Sequence, residues 1–131
     1  MVDAFDTVHA FDWYDGVVLG LVQPVGSTKI HLASLLAFDP DTRRRAYALL
    51  ELSTEDAIAL TALQNAPWEE MVSAIRSYCA RHGSEVTVVR LFEQGASVSN
   101  ERVPLAVVAD ALVSGIDEAI RPDRRRWLTA R

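Results

Sequence analysis

The sequence predicts an α+β domain: a four-strand antiparallel meander, then two helices, a fifth strand and a C-terminal helix, with the helices packed on one sheet face. Three observations carry this expectation. Strand-like segments crowd the stretch up to Leu52 and are separated by short turn signals. From Ser53 onward apolar residues recur at helical spacings of three and four. The chain has 131 residues, 50% of them hydrophobic, and at this size folding buries roughly two-thirds of the surface the unfolded chain exposes, enough for one core without disulfides or metal.

The elements follow in order. Val8 to Tyr14 reads Val-His-Ala-Phe-Asp-Trp-Tyr, β-prone and aromatic, and Asp15-Gly16 supplies a hairpin turn because glycine accepts positive φ. A second strand runs from Val17 to Gln23, and Pro24-Val25-Gly26-Ser27 turns the chain. Thr28 to Leu36 sets Ile30, Leu32 and Leu36 against Lys29 and His31, the alternation of a third strand. Asp39-Pro40-Asp41-Thr42 is a turn with φ preset by proline, and Arg45 to Leu52 is a fourth strand with Ala46, Ala48, Leu50 and Leu52 on one face. Ser53 stands as the N-cap of a helix reaching about Asn65, with Glu55 and Asp56 facing the positive end of its dipole. Pro67 opens a second helix carrying Trp68, Met71, Val72, Ile75, Tyr78 and Cys79, which Gly83 ends. Glu85 to Glu93 restores a strand, Gly95 to Asn100 reads as a polar loop, and Pro104 opens a third helix with Leu105, Val108, Ala109, Leu112, Ile116 and Ile120 on one stripe. Residues 1–131 then form one domain, with residues 1–7 a short flexible N-terminus and 121–131 a basic C-terminal tail.

Charge is uneven. Residues 1–41 carry six Asp and one Lys, residues 42–120 eleven acids and seven Arg, and residues 121–131 five Arg and one Asp, for a net charge of −5. An acidic body repels nucleic acid at long range and favours a basic protein partner, so nucleic acid is expected only at the tail. The apolar runs Val17 to Val22 and Leu105 to Ala109 are far shorter than the roughly 18–20 residues of a membrane-spanning helix, and no membrane association is expected. The single Cys79 cannot form an internal bridge, and Met1-Val2-Asp3-Ala4-Phe5-Asp6 lacks a basic-then-apolar leader, which together point to a cytoplasmic protein.

Few residues suggest catalysis. Asp12 and Asp15 flank one turn, and Asp39 and Asp41 another; paired carboxylates can divide acid and base roles or bind a cation, but aspartate is also a common turn residue. His9, His31 and His82 lie in no ligand spacing, so neither metal nor cofactor is expected. His31 with Asp12 or Asp15 would make a base and its orienter if the strands brought them together. Cys79 falls on the apolar side of its helix, where cysteine behaves as a small hydrophobe. Gly26-Ser27-Thr28-Lys29 reverses the order of a phosphate-binding loop and joins two strands, so it reads as a turn.

Two clusters point to partners instead. Phe5, Phe11, Trp13 and Tyr14 crowd the first hairpin, strand parity sets Phe11 and Trp13 on one face and Tyr14 on the other so that at least one large ring is left for solvent, and Asp12 and Asp15 rim it with charge, the composition of a contact site for a basic protein. Arg124, Arg125, Arg126 and Trp127 in the tail combine guanidinium forks with an aromatic, a possible clamp for acidic protein or RNA, the more so if Arg43-Arg44-Arg45 converges on it. The stretches Phe11 to Val17 and Tyr47 to Leu52 resemble small bacterial proteins that open on a Tyr-Asp-Gly-Pro hairpin; Val17 stands where those have proline, and the resemblance implies no activity. The function expected is that of a non-enzymatic protein-binding module, an inhibitor or immunity-type protein whose acidic surface covers a basic partner. A bacterial or phage origin and a possible homo-oligomer accompany that reading. The alternatives are a small enzyme using a His/Asp pair and an RNA- or anion-binding protein acting through the arginine-rich tail.

Overall fold

Hairpin follows hairpin along the chain, so the sheet is a meander in which six antiparallel strands lie side by side in chain order. They are β1 (Phe5–Trp13), β2 (Val17–Pro24), β3 (His31–Asp39), β4 (Arg44–Glu51), β5 (Glu85–Leu91) and β6 (Ser97–Pro104). Helices α1 (Thr54–Thr61) and α2 (Trp68–His82) join β4 to β5, and α3 (Leu105–Val108), α4 (Ile116–Ala119) and a 3-10 helix (Pro122–Leu128) follow β6. The computed structural model describes residues 5–82, 85–91 and 97–129. Gly83, Phe92, Glu93 and Gly95, and the outer parts of the two expected tails, residues 1–4 and 130–131, lie outside them.

The α+β class, the four-strand meander, the two helices after β4, the fifth strand and a helical C-terminal segment are all present. Ser53 caps α1 as its side chain chemistry dictates: Oγ accepts from the Asp56 N–H at 3.1 Å and donates to the Asp56 carboxylate at 2.8 Å. Among the described residues no helix is long and apolar enough to cross a membrane.

Four details differ from expectation. Part of the stretch expected as a polar loop opens a sixth strand: Ser97, Ser99 and Asn100 pair with Leu91, Arg90 and Val89, and Glu101, Arg102 and Val103 continue it opposite Val88, Thr87 and Val86. Weak strand formers are accepted there because β5 needs a partner and an edge strand tolerates polar residues. The C-terminal helical segment is split, because Val113 takes a left-handed φ of 56° that no helix permits and its N–H bonds Ser34 Oγ at 3.0 Å. Residues 5–7, expected to be loose, open β1, with Phe5, Asp6 and Thr7 opposite Pro24, Gln23 and Val22. The expected tail is instead the 3-10 helix, and its Trp127 and Leu128 are buried against the sheet. Burial of the indole and of Leu128 offsets part of the entropy lost in ordering the seven residues of this helix.

Both sheet faces are apolar. Leu19, Leu21, Leu32, Leu50, Val86 and Val88 form one core with Leu60 of α1, Met71 and Ile75 of α2, Val108 and Trp127. Val18, Val22, Ala33, Leu35, Tyr47, Leu49 and Val89 form a second on the opposite face, which α4 joins through Ile116 and Ala119. A flat sheet would hold β1 and β4 about 14 Å apart, yet the rings of Phe5 and Tyr47 meet edge to face at 5.3 Å. The sheet therefore curls, and the second core fills its concave side. Gly20 permits that curl at the edge: a Cβ there would stand 2.8 Å from the His9 carbonyl oxygen.

Candidate functional site

The turn between β1 and β2 is the candidate contact surface. Trp13 pairs with Val17, so the loop has three residues, Tyr14, Asp15 and Gly16, rather than the two that Asp15-Gly16 alone would make. Asp15 (φ 52°) and Gly16 (φ 140°) both take positive φ. The loop rests on β4. Arg45 donates to the carbonyls of Tyr14 and Asp15 at 3.1 and 2.7 Å, and its guanidinium lies 4.4 Å from the centre of the Phe38 ring. Tyr47 donates to the Val17 carbonyl at 2.6 Å, and the Arg43 guanidinium pairs with the Asp15 carboxylate. Gly16 is required for its φ, and a side chain there would also press on the Arg45 guanidinium at 3.0–3.2 Å.

On this platform Trp13 is 61% and Tyr14 55% exposed. Strand parity alone would turn one of the two rings inward. Tyr14, however, lies beyond the last paired residue, in the three-residue loop where strand parity no longer applies, and both rings point outward. Phe11 instead packs against the helix-side core and against His9, 5.0 Å between centroids. Asp12 is half-buried beside the rings. The rim expected to be acidic is interleaved with arginine, since Arg43 neutralises Asp15 and Arg45 sits beneath the loop.

The tail residues divide. Arg124 is buried, donating to the carbonyl of Leu36 at 3.0 Å, to Ser114 Oγ at 3.2 Å and to the carbonyl of Ala111 at 3.4 Å. Leu36 is the extra residue of a β3 bulge, so Arg124 serves a carbonyl that the strand ladder leaves out. Trp127 is fully buried. Neither can meet a partner, which corrects their placement on a surface clamp. Arg125 and Arg126 are exposed; Arg126 pairs with Asp110 at 3.6 Å and lies over the Trp127 ring. Arg125 stands near the β3–β4 turn, where Asp39 is held below its ordinary pKa chiefly by the Asp41 N–H, with Thr42 and the charge of Arg125 adding to it and burial opposing. The two arginine runs thus approach one another, but amid Asp39, Asp110 and Asp15 rather than as a basic patch.

His31 and the turn aspartates do not come together. His31 opens β3 and Asp15 pairs at its far end, where Arg43 follows Asp39, about 26 Å along the strand. Asp12 lies opposite Leu19, two strands from β3 and three positions along from His31. The His/Asp base pair is therefore absent. Cys79 is half-buried, and burial pushes its thiol above the ordinary value, away from nucleophilic use. Among the described residues no three His, Cys, Asp or Glu side chains gather as a metal site.

Two features escape sequence reasoning. Arg90, within the apolar run Val88-Val89-Arg90-Leu91, is buried; its Nε bonds the Trp127 carbonyl and its guanidinium pairs with Glu101, both at 2.8 Å. The sole signal was a charge on the helix-facing parity of β5. The second is a polar cleft of about 660 Å³ at the sheet end opposite Trp13, lined among others by Lys29, His31, Glu51, Tyr78, Glu85 and Arg102. Lys29 pairs with Glu51 at 2.5 Å and holds its carboxyl below the ordinary range, Arg102 stands 3.8 Å from Glu85, and Tyr78 donates to the Glu51 carbonyl. These residues are far apart in sequence and meet only because the meander returns each strand to the same end. No protein-family model, curated protein or solved structure matches this chain.

Proposed function

We propose that this chain is a non-enzymatic protein-binding module that contacts its partner through the β1–β2 turn, acting as an inhibitor or immunity-type protein does, by covering a surface of the partner. The observation that carries this reading is the pair Trp13 and Tyr14, 61% and 55% exposed on a loop that Arg43, Arg45 and Tyr47 hold from below. Rigid exposed aromatics bind with little loss of side-chain entropy and anchor interfaces out of proportion to their number. The net charge of −5 favours a basic partner by steering its approach. Because Arg43 already neutralises Asp15, the aromatics supply affinity and the wider acidic surface supplies association rate.

The test is a comparative pulldown from lysate of the source organism, using the tagged full chain, a Trp13→Ala/Tyr14→Ala variant and an Asp12→Lys/Asp15→Lys variant, read by mass spectrometry. The expected result is one stoichiometric basic protein retained by the native bait, lost from the aromatic variant, and captured more slowly by the charge-reversed one. A protein retained equally by the folded aromatic variant, or none retained by the native bait, would overturn the proposal.

A further inference from the structure

The β1–β2 turn holds the one Asp-Gly pair in the sequence, Asp15-Gly16. An aspartyl carboxyl carbon can be reached by the amide nitrogen of the next residue, and a side chain on that residue is what usually blocks the approach; Gly16 has none. Three further features bear on this peptide bond. The Gly16 carbonyl accepts from the Tyr14 N–H at 2.8 Å, but among the described residues no acceptor meets the Gly16 N–H, so its nitrogen is not tied up. Arg45 donates to the Asp15 carbonyl at 2.7 Å. When the Gly16 nitrogen gives up its proton, negative charge spreads onto that oxygen, where the guanidinium already stands as a fixed donor. Finally, the Asp15 side chain is open to water, and its φ of 52° is one that a residue with a Cβ adopts only at some cost.

One contact opposes the reaction. The Asp15 carboxylate is paired with Arg43 and must leave it before its carbon can meet the Gly16 nitrogen. We propose that Asp15-Gly16 is a site of self-modification, rearranging to isoaspartate through a succinimide, and that the Arg43 ion pair restrains it. The Gly16 nitrogen attacks Asp15 Cγ; the N–Cγ bond forms, and the hydroxyl of the protonated carboxyl leaves with the amide proton as water. Water then opens the ring. Addition at the side-chain carbonyl breaks the new N–Cγ bond and restores aspartate. Addition at the main-chain carbonyl breaks the original peptide bond and leaves Gly16 joined through Cγ. No oxidant, reductant or cofactor enters, and water is the only co-reactant. The isoaspartyl link adds a methylene to the backbone between Trp13 and Val17, which takes the loop out of register with its donors on Arg45. This chemistry belongs to the loop itself and does not rest on the partner reading.

The experiment keeps the full folded chain for weeks in heavy-oxygen water near neutral pH, then digests it in ordinary water and locates the label by fragmentation mass spectrometry. Every passage through the ring leaves a heavy oxygen at residue 15. Asp15 should be labelled ahead of every other aspartate, and an isoaspartyl form of the same peptide should separate from it by chromatography. Arg43→Ala, checked for folding by circular dichroism, should label about two- to fivefold faster, the range that an exposed ion pair can hold back. Added salt screens that pair, so it should speed labelling of the native chain and leave Arg43→Ala unchanged; if the variant does not fold, the salt dependence of the native chain decides. Absence of label at Asp15, labelling there no faster than at the other aspartates, a folded Arg43→Ala chain no faster than native, or a native rate indifferent to salt would overturn the proposal.

Discussion

The Tyr47 hydroxyl donates a 2.6 Å hydrogen bond to the carbonyl of Val17, thirty positions earlier in the chain, and so ties β4 to the first residue of β2 across the concave face of the sheet. Burial raises the Tyr47 phenol above its ordinary pKa against the opposing charge of Arg45, so the group stays a donor at any ordinary pH. Tyr47→Phe keeps the ring on Phe5 but leaves the Val17 carbonyl without this donor. The expected cost is about 1–2 kcal/mol, read as a lower urea midpoint at unchanged slope. An unshifted midpoint would mean that the bond contributes nothing to the fold.

Arg124 and Arg125 are neighbours with opposite fates, and paired substitutions separate them. Arg124→Ala strands the bulge carbonyl of Leu36 and leaves a cavity between β3 and the 3-10 helix, so it should cost about 2–4 kcal/mol. Arg125→Ala removes an exposed side chain and should stay within about 0.5 kcal/mol of the native chain. Equal midpoints for the two variants would return Arg124 to the surface.

Gly20→Ala tests the curl of the sheet. The added Cβ would stand 2.8 Å from the His9 carbonyl, a backbone atom that cannot rotate away. Overpacking of this kind costs about 1–3 kcal/mol, and thermal unfolding should show it. The control is Gly26→Ala, where the space is open and only the positive φ of 83° is strained. Gly20→Ala should be the more harmful of the two.

The elements that were legible are those whose signal is local. Ser53 announces α1 because its hydroxyl bonds a donor three residues on, and the alternation of Arg45 to Leu52 announces β4 because one face is uniformly apolar. What stayed hidden depends on distant partners. Asn100 and Glu101 carry no strand signal, and they are strand because Val89 and Val88 lie beside them. The tail arginines read as solvated because nothing in Arg124-Arg125-Arg126 says that the first of them meets a carbonyl freed by a bulge 88 positions away. At the candidate site the exposed aromatics could be picked out, but not that a three-residue loop would leave both rings outward, nor that Arg43 would neutralise Asp15.

Asp39 gives the pH prediction. The Asp41 N–H holds its carboxylate, so the folded pKa lies below the unfolded one. A depressed carboxylate contributes stability that is present above the unfolded value and is lost as pH falls through the folded value. In a carboxyl-carbon NMR titration Asp39 should therefore be among the last aspartates to protonate on acidification. Asp41→Pro removes the N–H and should bring its midpoint back up toward the ordinary range. A midpoint that does not move would assign the shift to Thr42 and Arg125 instead.

Trp13 offers a direct optical test of the contact surface, because the three tryptophans are differently placed: Trp127 is fully buried, Trp68 is partly covered on α2, and Trp13 is 61% exposed. Acrylamide should quench Trp13 most efficiently, and Trp13→Phe should remove the most accessible part of the emission. An indole kept for a partner contributes little to the isolated fold, so the same variant should shift the urea midpoint by no more than about 0.5 kcal/mol in equivalent stability. Trp127→Phe, which hollows the core beneath Arg90, should be destabilising by more than 1 kcal/mol, as loss of buried aromatic volume generally is. If Trp13→Phe proves as costly as Trp127→Phe, the Trp13 ring is part of the core and the β1–β2 turn loses its anchor. If it is silent in stability yet abolishes capture of the partner, the ring acts in recognition alone.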